Sequence, residues 1–226
     1  MIHHLLSSIS TSRPRGGGGE PIASILPDSL TPPVLWFSAE SVTVDGSGGI
    51  TAFISKGIVS GVTATPTTGN LATVIDLNGK PIINIPNLSS GGYVFPTQTG
   101  IKTVVALATY GDGTTTTFSG YDGFFSGSFQ ATGDSGKSNW FNGQPSTPVD
   151  NGVYVASSYV VLPLNNRTIG AKLVGSGNVS HIFRDNDAAT RNWYGTSGDI
   201  LMFDYVLTDA ELLTLHDSIM NYYGLV

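Results

Sequence analysis

Beyond Val34 the chain is cut into short apolar segments by glycine, asparagine and proline, and this punctuation excludes most folds at once. The segments are Val34–Phe37, Ile50–Ser55, Leu71–Asp76, Pro81–Ile85, Ile101–Tyr110, Thr114–Ser119, Gly127–Ala131, Val153–Ser157, Tyr159–Leu164, Ile169–Val174, Val179–Phe183 and Ile200–Tyr205. Each has strand length, and Asp122-Gly123 and Asn142-Gly143 are tight-turn dipeptides. Ile101–Tyr110 (IKTVVALATY) is the most apolar run and reads as a central strand buried on both faces. So many short strands at close spacing predict an all-β fold, a sandwich or a barrel. The 29 glycines and a charged fraction of only 12% suit turns and strands better than long solvated helices.

One helix is predicted, from about Asp209 to Tyr223. Thr208-Asp-Ala-Glu211 is a capping box, in which the threonine hydroxyl accepts the Glu211 amide proton and the glutamate returns to the Thr208 amide. Leu212, Leu215, Ile219 and Tyr222 follow at helical spacing, and Gly224 suits the C-terminal cap.

Residues 1–33 read differently, as an extended arm ahead of a domain at 34–226. Pro14, Gly16 to Gly19, Pro21, Pro27, Pro32 and Pro33 disfavour helix and central strand alike. Such a segment cannot build a core by itself. Its apolar residues Ile2, Leu5, Leu6, Ile22, Ile25 and Leu26, with Arg13 and Arg15, are candidates for contact with neighbouring subunits. The opening MIHHLLSSIS has too short an apolar run, and its arginines fall after that run, so it is read as retained rather than as a signal peptide.

Several function classes fall away on composition. The chain has no cysteine, which removes disulfides and cysteine-built zinc sites and suits assembly in a reducing cytosol. Its formal net charge is −6 with scattered basic residues, so nucleic acid is not an expected partner. No stretch approaches the roughly 18–20 apolar residues that span a bilayer, so no membrane partner is expected either.

The closing stretch GDILMFDYVLTDAELLTLHDSIMNYYGL resembles the end of concanavalin A-like, laminin-G-like domains. There a Gly-Asp/Glu-Ile strand leads to a Leu-Ser/Thr-Asp-x-Glu helix start and a Tyr-Gly-Leu ending. Leu35-Trp-Phe-Ser-Ala-Glu40 with Val44-Asp-Gly-Ser-Gly48 is similar to the opening strand and turn of that family. Asn139–Gly143 resembles its mid-domain hairpin and Arg167–Gly170 a later strand. The resemblance covers residues 34–226 and implies an antiparallel two-sheet jelly-roll sandwich. Such domains occur in secreted glycan-binding proteins, in glycosidases and in tailed-bacteriophage virion proteins. The arm, MIHHLL…GGGGEP, looks like leaders on phage structural proteins.

The residues are then weighed against each class. Glycosidases of the resembled kind need two carboxyls at a set separation, placed as Glu-x-Asp-x-Glu on one strand. The glutamates here are Glu20, Glu40 and Glu211 alone, and no such run exists. No nucleophile elbow, P-loop or dinucleotide fingerprint is present, so no catalytic residue and no cofactor is assigned. Asp185 and Asp187 around Asn186 could take part in holding calcium, but a polar loop with Asx turns is the plainer reading, and no metal site is assigned. Tyr121, Trp140, Trp193 and Tyr194 fall in or beside Gly/Asn-rich loops, where aromatic faces either stack on sugar rings or cover the core. Trp36 reads as core. The expectation is therefore a non-enzymatic virion protein, a capsid decoration or cement subunit assembled in the host cytoplasm. Its arm would anchor it to the major capsid protein or other virion subunits, as a homo-oligomer or symmetric array. The alternative is a lectin-like module that binds a surface glycan.

Overall fold

The computed structural model describes residues 25–87, 91–120, 122–129, 131–133, 135–138, 140–141, 146–155, 160–185 and 191–226. The arm residues Ile2, Leu5, Leu6, Arg13, Arg15 and Ile22, the loop residues Tyr121, Asn186 and Asp187, and the Asn142-Gly143 turn lie outside these. Fourteen strands and one helix are present among the described residues: β1 (Leu35–Phe37), β2 (Val42–Val44), β3 (Ile50–Ile54), β4 (Thr63–Pro66), β5 (Thr73–Leu77), β6 (Lys80–Ile85), β7 (Tyr93–Tyr110), β8 (Gly123–Phe125), β9 (Ala131–Gly133), β10 (Trp140–Phe141), β11 (Ser146–Asp150), β12 (Val153–Tyr154), β13 (Arg167–Ile182), β14 (Gly195–Phe203) and α1 (Asp209–Tyr222). The fold is all-β, built as a large antiparallel sheet of order β10-β9-β8-β13-β7-β14-β6-β5, with β1 on β14, β11 on β13 and β4 on β7.

The axis of the molecule is the ribbon of β7 and β13, two strands of 18 and 16 residues. Their pairing runs from Arg167 opposite Ala108 to Ile182 opposite Tyr93, with register shifts around Gly177. Extra residues at such bulges bend and twist a strand. The consequence is that both halves of the ribbon feed one core. Tyr93, Phe95, Val179 and Ile182 from one half join Val104, Ala106, Ala108 and Ile169 from the other. Gly170 leaves no room for a side chain between the two strands, since a Cβ there would stand 1.9 Å from the Val104 carbonyl oxygen.

The opposite face of β7 is buried as well. Val105 and Leu107 join Leu201 and Phe203 of β14 and the stripe Leu212, Leu215, Ile219 and Tyr222 of α1 in a second core. Alternate residues of β7 thus point into two different cores, as the run of uninterrupted apolar residues predicts. Ile25 and Leu30 are buried in this second core, with Leu26 packed against it. The Leu30 amide donates to the Pro27 carbonyl, and this turn folds the segment back on the domain. Ile25 and Leu26, two of the residues read as part of the arm, thus have contacts within their own chain.

The predicted helix forms with its predicted cap. Thr208 accepts from the Glu211 amide at 3.2 Å, and Glu211 accepts from the Thr208 amide at 2.7 Å. Replacing Thr208 by alanine should cost about 1 kcal/mol, read as a lower urea midpoint at unchanged slope, with Thr208→Ser near wild type. Three strand expectations fail, the first at Tyr159–Leu164, whose described residues 160–164 belong to no strand. Thr114–Ser119 is irregular because Asp112 accepts hydrogen bonds from the Thr114 and Thr115 amides, an Asx turn that diverts the backbone. Gly127–Phe129 is a single 3-10 turn rather than strand. The β5–β6 hairpin turns on Asn78-Gly79, whose φ angles of 54° and 80° are those of the tight turn that matches strand twist.

Candidate functional site

The loop aromatics separate sharply once placed. Trp193 is 1% exposed. Its indole N–H donates to the Thr109 carbonyl at 3.2 Å, and its ring meets Tyr110 and Phe124 edge-on at 5.1 and 5.0 Å. A ring enclosed in this way cannot stack on an external sugar, so the expectation of an exposed Trp193 is corrected. Tyr194 is half-buried, with its ring 4.7 Å from that of Tyr110. It lies beside the Gly111–Thr115 turn, where the Gly111 amide donates to the Tyr194 carbonyl. The Asp112 carboxyl is held down at about 2 by the Thr114 amide and hydroxyl and by Thr115. Tyr121 lies outside the described residues, and Trp140 is placed only as a strand residue opposite Gly133.

Below Tyr194 the loop is tied by a buried polar knot. The Tyr110 hydroxyl donates to Asp122 at 2.5 Å, and the Ser119 and Gly120 amides donate to the same carboxylate at 3.1 and 3.0 Å. Burial, then the Asp122 carboxylate, raises the Tyr110 phenol. Asp122, in the predicted tight-turn pair Asp122-Gly123, is the acceptor that fixes this loop. The calcium candidate Asp185 is wholly buried and accepts from the Arg191 guanidinium at 3.1 Å, while its partner Asp187 lies outside the described residues. Among the described residues no group of three His, Asp or Glu side chains is placed to hold a metal.

A second polar cluster joins the first strand, the last strand and the end of α1. Asp199, 2% exposed, accepts from the Trp36 indole N–H and from the Tyr223 hydroxyl at 2.5 Å. Burial pushes its carboxyl above the ordinary range, although both hydrogen bonds oppose this. Nearby, Glu40 accepts from the Tyr222 hydroxyl at 2.6 Å and from Lys56 at 3.2 Å. The Tyr222 hydrogen bond is the largest influence on Glu40, whose carboxyl lies below its ordinary value. Lys56 also stands 4.4 Å from the centre of the Trp36 ring. Trp36 is thus half-buried under a lysine and bonded to a carboxylate, not a plain core residue. Sequence alone marks Asp199 only as part of the Gly-Asp-Ile motif; the one charge in an otherwise uncharged strand is the signal that it has buried partners.

The two carboxylates, Asp199 and Glu40, differ in setting. One is sealed from solvent and the other is engaged by tyrosine and lysine. Glu211 is committed to the helix cap, and Glu20 lies outside the described residues.

A recess of about 300 Å³ lies between β12 and the first turns of α1, lined by Gly152, Val153, Tyr154, Asp209, Ala210 and Leu213. Its rim is apolar and open: Val153 is 51% and Leu213 47% exposed. Tyr154 forms the floor, its hydroxyl donating to the Leu207 carbonyl at 2.7 Å. Burial raises that phenol to about 12.

No family model matches the chain, and no curated protein matches it. No helix among the described residues is long and apolar enough to cross a membrane.

Proposed function

We propose that this chain is a non-enzymatic structural subunit of a tailed-bacteriophage virion, a capsid decoration or cement protein, with a concanavalin A-like jelly-roll sandwich as its folded part. The observation that carries the reading is the closing segment from Gly198 to Leu225. Its motif residues are the ones that fasten the molecule: Asp199 to Trp36 and Tyr223, and Thr208 to Glu211. The curl of the β7–β13 ribbon around one core supports the two-sheet form. The Pro/Gly-rich residues 1–24, carrying Ile2, Leu5, Leu6, Arg13, Arg15 and Ile22, supply a segment suited to contact with other virion subunits, including the major capsid protein or copies of this chain. Ordering such a segment is favourable only when a partner covers it, and repetition over a symmetric array would multiply weak contacts.

The test is co-sedimentation with phage shells that lack minor proteins, using the full chain and a chain beginning at Ile25. Pelleting of the full chain alone assigns the anchor to the arm. Pelleting of both assigns it to the folded domain. If neither pellets, the shell reading falls and the lectin-like alternative is taken up on a glycan array, with Tyr194→Ala as the informative variant.

A further inference from the structure

We propose that Thr168, His216 and Gly152 form a proton-sensitive latch, which holds the β11–β12 turn against α1 and lets it go in mildly acid solution. The turn is Asn151-Gly152, with φ angles of 48° and 74°. The Asn151 amide donates to the Thr168 carbonyl at 2.9 Å, and the Gly152 amide donates to the Thr168 hydroxyl oxygen at 3.0 Å. The same hydroxyl lies 2.9 Å from Nδ1 of His216 on α1. A Cβ at Gly152 would stand 2.6 Å from that of His216, so turn and helix leave no slack between them.

The directions of these bonds fix the protonation state. Thr168 is wholly buried, and its oxygen already accepts from Gly152. Its own proton is placed by donation to Nδ1, which must then be an unprotonated nitrogen. The ring is neutral, with its proton on Nε2. A second proton would turn Nδ1 from acceptor to donor. Two N–H groups would then face one hydroxyl, and the hydroxyl proton would lose its acceptor inside the protein. The surrounding charges do not offset this. Asp150 of β11 is engaged by the Arg167 guanidinium of β13, itself a positive charge. Asp217 on α1 is exposed to solvent, Asp209 lies about two helical turns away, and β12 brings the neutral Tyr154 phenol. Burial outweighs the pull of Asp217 and Asp150 and holds the imidazole below its ordinary 6.5.

When the turn lifts, His216 gains water and returns to its ordinary value, so the opened form takes up the proton first. The latch is therefore fully held above 6.5 and is lost as the pH falls through the window between that value and the lower folded one. What moves is one wall of the β12–α1 recess, since Gly152, Val153 and Tyr154 line it. The latch is independent of the virion reading and would hold for a glycan-binding protein as well.

Two NMR measurements on the full chain test this. Nitrogen shifts of the imidazoles read the tautomer, and at about pH 7.5 Nδ1 of His216 should be unprotonated. Hydrogen exchange of the Gly152 amide, corrected for its intrinsic rate, reads the latch. From about pH 7.5 to about pH 5.5 its protection should fall several-fold, with a ceiling of roughly ten-fold set by an imidazole that titrates at its ordinary value when released. His216→Asn, whose side-chain carbonyl can accept from Thr168 but does not titrate, should remove that fall. Thr168→Val should leave the Gly152 amide poorly protected at both pH values. A ring protonated on Nδ1 at about pH 7.5 would overturn the proposal, and so would the same fall in wild type and His216→Asn. The tautomer is read on the wild-type chain and needs no variant to fold. Shell co-sedimentation fails or succeeds separately from either result.

Discussion

Replacing Trp193 by alanine should destabilise the protein by about 3–5 kcal/mol, whereas the neighbouring Tyr194→Ala should cost only about 1 kcal/mol. The difference follows from enclosure. Trp193 is wedged edge-on between Tyr110 and Phe124 and donates its indole proton to Thr109, so truncation opens a cavity and strands a buried carbonyl at once. Tyr194 loses one ring contact to Tyr110 and some half-buried area. Urea unfolding of both variants checks this; a Trp193→Ala midpoint as high as that of Tyr194→Ala would mean the tryptophan is not enclosed. The result also governs any glycan experiment. Loss of binding in Trp193→Ala would report a weakened fold, so Tyr194 is the member of the pair whose substitution can report on a ligand.

The two aromatics show where the sequence is readable. Helix α1 is legible because everything that defines it is local: Thr208 and Glu211 are three residues apart, and the buried stripe from Leu212 to Tyr222 repeats within a few turns. The two-sided burial of Ile101–Tyr110 is legible for the same reason, since from Thr103 onward neither face carries a charge. The first half of β7 is not, because Pro96, Thr97, Gln98 and Thr99 show no strand alternation, and Gln98 and Thr99 are held by β13, some 80 residues away. The Thr-rich stretch after Gly113 has strand propensity, yet Asp112 captures two of its amides and wins locally. Trp193 sits in a polar loop sequence, and the residues that bury it, Tyr110 and Phe124, lie about 70 to 80 positions earlier. Contacts of that range leave no trace in composition or period. The packing of Ile25 and Leu30 is not legible for a related reason: prolines at 27, 32 and 33 mark a chain that cannot be helix or central strand, but not one that cannot pack in a turn.

Asp199 is the position where a single substitution should unfasten the most. Asp199→Ala removes the acceptor of two buried donors, the Trp36 indole and the Tyr223 hydroxyl, which belong to the first strand and the end of α1. Each donor left without a partner costs about 1–3 kcal/mol, so a loss of about 2–5 kcal/mol is expected. For a chain of this size that lowers the melting temperature by roughly 5–15 °C. Tyr223→Phe removes one donor and keeps the acceptor bonded to Trp36, so its loss should be the smaller. The pH dependence carries a sign that separates this carboxyl from an ordinary salt-bridged one. Burial raises the folded pKa of Asp199 above the unfolded value, near 3.8. Between those two values the native state holds a proton that the unfolded chain has released, so the stability this group contributes is fullest below about 3.8 and declines as the pH rises through the folded pKa. Asp199→Asn, which cannot titrate, should therefore fall furthest behind wild type at acid pH, with the gap narrowing towards neutrality. Glu40, held low by Tyr222, has the opposite sense: its contribution is present above the ordinary glutamate value and is lost as the pH falls through the folded one. Urea titrations of wild type and Asp199→Asn across this range cancel the Glu40 contribution, and a gap that widened with rising pH would mean that Asp199 is stabilised as the carboxylate by its two donors more than burial opposes it.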